Sequence, residues 1–150
     1  MVIEQSRKNW LKHRRILEEL LKTIKEEDAA FKPWDGAMSL GELALHIAGW
    51  GNTFITLVKT GEFSKPEPIH FQTMTQVREA VRQLTEKTLA TYSSLTLEEL
   101  EAVQTFPLSN FQLSGKEYLK IIHDHEVHHK GQLYIYARMT GVEKVPFFRS

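Results

Sequence analysis

The chain contains no cysteine. That excludes a disulfide framework, a cysteine-ligated zinc site, an iron–sulfur cluster and a thiol nucleophile. It also lacks a surplus of charge of either sign. Lys+Arg and Asp+Glu are both 19, so the formal net charge is zero, whereas a dedicated nucleic-acid binder carries a basic excess. No apolar run approaches the roughly 18 residues a membrane span requires. The opening stretch MVIEQSRKNWLKHRR has no apolar core of the signal-peptide kind. There is no phosphate-cradling glycine-rich loop and no Gly-x-Ser-x-Gly elbow. Together these absences lead to the expectation of a soluble protein of a reducing compartment, the cytoplasm, with no nucleic acid and no membrane as partner.

What is present is 150 residues of ordinary globular composition, 41% hydrophobic and 25% charged. That is enough apolar material for one real core, and a single domain over residues 1–150 is expected. The compositional oddity is histidine. There are seven, four of them within the stretch His123 to His129.

Breakers fall at Lys32 to Gly36, Gly61 to Pro68, Pro107 to Asn110 and Gly141 to Pro146. Between them the apolar positions recur at three- and four-residue steps, the period of a helix. The spacing predicts helices over about Ser6–Ala29, Ser39–Thr60, Met74–Ser94 and Ser114–Thr140, with a short one after Thr96. Ser39/Glu42, Thr96/Glu99 and Ser114/Glu117 each have the form of a capping box, in which hydroxyl and carboxylate satisfy free backbone N–H groups. Gly61 and Gly141 are natural stops. Four long helices and no convincing strand predict an all-α four-helix bundle with a short extra helix. The Gly61–Thr73 link is long enough to cross over an end of the bundle.

The chemical signal lies in His46, His125 and His129. Residues four apart on a helix differ by only about 40° in direction, so His125 and His129 stack one turn apart. Their stripe also carries Tyr118, Ile121, Ile122, Gln132, Leu133 and Tyr136, while Lys116, Lys120, His123 and Lys130 fall on the opposite, wet side. His46 falls in the centre of an apolar face with Leu43, Trp50, Thr53 and Leu57. Three imidazoles directed into one core admit two readings. Each is a hydrogen-bonded core residue, or the three share a divalent cation, to which each neutral ring offers a lone pair. Three protein ligands leave a coordination position open, the pattern of a catalytic site.

Other features read as structural. His128 lies at the edge of the stripe. Glu126 is about 100° round from His125, too far for the same ion. His13 and His70 have no evident partner. Lys8, Lys12, Arg14 and Arg15 are answered by Glu18, Glu19, Glu26, Glu27 and Asp28, which reads as a solvated face. Trp34, Trp50, Tyr134 and Tyr136 read as core, and Gly131 as a site of close helix packing.

The segment Asp124-His-Glu-Val-His-His-Lys-Gly-Gln-Leu133, followed by Tyr134 to Gly141 and Val145-Pro146, resembles the closing helix of the DinB/YfiT-like superfamily. Met38-Ser-Leu-Gly-Glu-Leu-Ala-Leu-His-Ile-Ala-Gly49 resembles its second helix, and the resemblance runs over essentially the whole chain. It implies an up-down-down-up bundle and a nickel, zinc or iron ion on His46, His125 and His129. It also implies a tendency to homodimerise, and a family name that refers to DNA-damage-inducible expression rather than DNA binding. Relatives include metal-dependent thiol transferases using bacillithiol, mycothiol or glutathione, and a mycothiol-dependent maleylpyruvate isomerase. The function expected on that basis is transfer of a low-molecular-weight thiol to an electrophilic small molecule. Metal-dependent hydrolysis and a non-enzymatic, stress-related metal-binding dimer are the alternatives. No general base or other catalytic residue is assigned.

Overall fold

Four capping boxes begin four of the helices. Ser39, Thr73, Thr96 and Ser114 each accept a hydrogen bond from the backbone N–H three residues on, and Glu42, Gln76, Glu99 and Glu117 reach back to the cap. The computed structural model describes residues 2–150. Its elements are α1 (Val2–Leu21), a 3-10 turn (Glu26–Ala30), α2 (Leu40–Thr60), α3 (Met74–Ser93), α4 (Leu97–Glu101), β1 (Val103–Phe106), β2 (Phe111–Ser114) and α5 (Gly115–Met139). None of these helices is long and apolar enough to cross a membrane.

Named contacts fix the directions of the four long helices. Arg7 of α1 reaches Ser93 at the end of α3, and Arg78 at the start of α3 reaches Leu21 at the end of α1, so these two run antiparallel. Lys59 donates to the Ser94 carbonyl, which sets the ends of α2 and α3 side by side and makes them parallel. Tyr136 of α5 donates to the Met38 carbonyl, and the start of α5 lies against Val58, so α5 is antiparallel to α2. The order is up-down-down-up.

Three sequence expectations need correction. The first helix stops at Leu21, not Ala29. The Thr23 hydroxyl takes the Leu20 carbonyl at 2.6 Å, and the Arg78 guanidinium donates to the carbonyls of Leu21 and Ile24. A residue 54 positions away from Ile24 thus caps the helix end, and no local pattern announces it. Secondly, there are strands. β1 and β2 pair antiparallel with Val103 opposite Ser114 and Phe106 opposite Phe111. Asn110, at φ 58°, supplies the left-handed residue of the loop. Tyr118 of α5 anchors this hairpin by donating to the carbonyls of Gln104 and Phe111. Thirdly, the Gly61–Thr73 link does not cross over an end. Parallel α2 and α3 require it to return the length of the bundle, and it lies along α2. Ser64 is bonded to Thr53, Pro66 sits against Gly49 and Phe71 against Gly41.

The core is in two pieces. One contains Leu17, Leu20, Leu43, Ile47, Val77 and Leu133. The other contains Trp10, Ile55, Leu57, Tyr92, Tyr118 and Ile122. Between them, on every long helix, fall the residues that carry polar chemistry: Arg14, His46, Thr85, and the run from His125 to His129.

Candidate metal centre

α5 stacks His125 and His129 on successive turns, and antiparallel α2 brings His46 up to both. His46 Nε2 lies 3.2 Å from His129 Nε2 and 3.2 Å from His125 Nε2. The three possible donor atoms all fall within 4.8 Å of one another, and each residue is half-buried. The trio therefore sits at the rim of the bundle, not at the centre of the apolar core where the helical projection put it.

The protons in this cluster can be followed. His129 Nδ1 is 2.7 Å from Gln132 Oε1. An amide oxygen only accepts, so Nδ1 holds the hydrogen and Nε2 keeps the lone pair. His46 Nε2 meets two nitrogens at once, yet a neutral imidazole nitrogen carries either one N–H or one in-plane lone pair. If it donates to His129, the same N–H confronts His125. If it accepts from His125, its lone pair confronts that of His129. Hydrogen bonds alone leave one contact unsatisfied in either case. A shared cation would satisfy all three. Two nitrogens at about 2.0–2.1 Å from one ion, at the tetrahedral angle, are about 3.3–3.4 Å apart. The two 3.2 Å separations fit that donor set.

Burial pushes the His46 ring below its usual pKa, and the adjacent His129 adds to this. Burial, followed by the neighbouring His129 and His46, takes His125 down to about 3. At neutral pH both rings are unprotonated and able to donate a lone pair. Around the trio stands an aromatic wall. Trp50 is 6.3 Å from His46 between ring centres, and Phe54 is 6.4 Å from His125. The wall continues through Phe63 and through Phe106 of the hairpin, each against Trp50.

Several residues outside the cluster have surroundings that the sequence did not show. Arg14 is 0% exposed and Glu126 is 1% exposed. Arg14 Nε donates to Glu126 Oε2 at 2.8 Å and Nη2 to Oε1 at 2.7 Å, Nη1 donates to Thr85, and Trp10 Nε1 donates to Glu126. Arg14 thus leaves the solvated basic face assigned to it. Glu126 stays outside the histidine cluster, as its helical angle requires, but as a buried counterion. Lys130, placed on the wet side, is 2% exposed. Its ammonium donates to His13 Nδ1 at 2.8 Å and to the Phe148 carbonyl, so His13 has a partner after all. Trp34, expected in the core, is 66% exposed. Gly131 has open space where a side chain would be, so close helix packing within the chain does not explain it. His128 is exposed, with its ring 4.7 Å from that of His129. The sequence reading put Gln132 on the histidine stripe but gave it no role as the orienting partner of His129. Its position three residues on, the next step of the same face, was the available signal.

Comparison with known proteins settles the lineage. The DinB family model matches residues 2–148. The chain belongs to the DinB family. It is 30% identical to the Bacillus subtilis protein YjoA over 142 residues, spanning 94% of this chain and 92% of YjoA. The crystal structure of YjoA, a DinB-like protein, superposes with a TM-score of 0.85, covering 97% of this chain and 99% of YjoA at 29% identity. A DinB-like protein from Bacillus cereus shares the fold at a TM-score of 0.77 and 21% identity, covering 96% of this chain and 95% of that one. The all-α architecture thus stands on the helices and on these DinB relatives together, and the three-histidine group is one that could hold a metal ion.

Proposed function

We propose that this DinB protein is a metal-dependent enzyme. His46, His125 and His129 hold one divalent ion, nickel, zinc or iron, and the reaction is transfer of a low-molecular-weight thiol to an electrophilic small molecule. The observation that carries the metal is the pair of 3.2 Å Nε2 separations meeting at His46. A divalent ion supplies Lewis acidity there, which lowers the pKa of a coordinating thiol. The residues do the rest. His46 and His125 present unprotonated rings, Gln132 holds His129 in the tautomer that aims Nε2 at the cluster, and Trp50 and Phe54 keep water off one flank. The absence of cysteine means that any thiol must come from outside the chain. This reading calls for a reducing cytoplasm, and it takes a homodimer from the family resemblance.

The test is a thiol-consumption assay on nickel-, zinc- and iron-loaded protein with bacillithiol, mycothiol or glutathione and an alkylating electrophile. Turnover that needs the metal and disappears in His129→Ala is expected. A fully loaded protein that consumes neither thiol nor electrophile contradicts the transferase reading. It leaves hydrolysis or a non-enzymatic metal-binding module.

A further inference from the structure

A cavity of about 470 Å3 lies between α2, α3 and the returning link, and none of the three histidines lines it. We infer that it binds a small organic carboxylate, with the anion at Asn52, Lys65 and Lys87 and a hydrocarbon body against Leu45, Leu84 and Ile69.

The cavity is built into the fold. Thr53 Oγ1 donates to the Ser64 carbonyl at 3.0 Å and fixes one end of the link. Pro66 approaches α2 so closely that a Cβ at Gly49 would come within 2.9 Å of it. Pro66 and Pro68 fix the backbone φ on the wall they form. A wall held in this way does not collapse into the space below it, and the volume falls in the roughly 300–1,000 Å3 range of small-molecule pockets.

Its chemistry selects the ligand. Asn52 uses its carboxamide oxygen to accept from Thr88 Oγ1, which leaves the N–H2 as its remaining donor. The lysine ion pairs of the described residues engage Lys8, Lys22 and Lys59, and neither Lys65 nor Lys87. With Glu67 also on the rim, these two lysines leave a net of one positive charge. That suits a monoanion better than a phosphate monoester, which carries about −1.5 to −2 at neutral pH. The leucines and Ile69 give a hydrocarbon a place to leave water. This inference does not depend on the histidine cluster and survives if no metal binds there.

Octanoate is the probe, titrated into 15N-labelled full-length protein with amide shifts followed at Gly49, Asn52 and Lys87. Saturable shifts at these positions are expected, with a Kd of about 0.1–1 mM. The exposed double variant Lys65→Ala/Lys87→Ala weakens binding about tenfold, and filling the cavity with Leu84→Trp abolishes it. Octanol, with the same hydrocarbon and no charge, binds at least as weakly to the parent as octanoate does to the double-lysine variant. The absence of shifts at these positions up to about 10 mM octanoate overturns the inference. So does a response to octanol equal to that of octanoate, or a double-lysine variant that binds as the parent does. The lysine variant decides the matter even if Leu84→Trp fails to fold.

Discussion

Adjacent residues on one turn of α5 serve opposite ends. Glu126 is sealed in the interior, and every direction it offers is met, by Arg14 through two nitrogens and by Trp10. His125, its neighbour in sequence, turns to a half-buried cluster whose three nitrogens meet with too few protons to go round. Both constellations lie in the break between the two hydrophobic clusters. The difference is satisfaction, not polarity. A closed network whose donors and acceptors balance is structural. An accessible one with converging lone pairs invites a ligand.

The comparison breaks most visibly at Glu126. Glu126→Gln leaves the Arg14 charge buried without its counterion, and removing one partner of a buried pair costs about 3–5 kcal/mol. Urea unfolding should record a loss of that size, with the metal stoichiometry of the folded protein unchanged. A double replacement, Arg14→Met with Glu126→Leu, should recover much of the loss, since a well-packed apolar pair substitutes for a buried ion pair at little cost. Equal instability of the double and single variants would show that the network does more than neutralise itself.

A smaller effect sharpens the other side. Gln132→Leu removes the acceptor that fixes the His129 tautomer. Loss of such an orienting partner lowers metal affinity about 10–100-fold, while unfolding free energy should stay within about 0.5 kcal/mol of the parent, as for other surface substitutions. Competition titration against a chelator reads the affinity. An unchanged value removes Gln132 from the account.

The smallest expected effect concerns pH. Burial, with Lys130 beside it, lowers His13 from 6.5 to about 4. The unfolded chain therefore binds the extra proton first on acidification. The stability from neutral His13 is complete above pH 6.5 and drains away as pH falls towards 4. His125, held near 3, acts in the same direction over a wider window. His13→Gln keeps an acceptor for Lys130 without a titrating ring, so its melting temperature should fall less than the parent's between pH 7 and pH 4.5. Parallel pH profiles for the two proteins would contradict this.

How much of this was legible in the sequence follows the range of the interactions. Capping boxes at Ser39, Thr96 and Ser114 act over three residues, and their hydroxyl-to-glutamate spacing can be read directly. The His125/His129 pair needs only the helical period, and His46 only the apolar face of its own helix. Arg14 and Lys130 were misplaced because a charged residue is assigned to water until a partner is known, and Glu126 was read only as turned away from the histidine cluster, with no partner assigned. The partner of Arg14 is 112 positions away and that of Lys130 is 117. The early end of α1 has the same origin in Arg78. The hairpin was missed for another reason. Val103–Phe106 and Phe111–Ser114 are four residues each, too short for alternation to stand out beside the breakers Pro107 to Asn110. The half-buried position of the trio was illegible too, since a projection gives the direction of a side chain but not the depth of the helix that carries it.

The account turns on one measurement, calorimetric titration of zinc into the metal-free protein and into His46→Ala, His125→Ala and His129→Ala. One ion per chain in the parent, and no saturable uptake in each of the three variants, is the predicted result. A parent that takes up no ion, or a His129→Ala protein that binds as tightly as the parent, would contradict it.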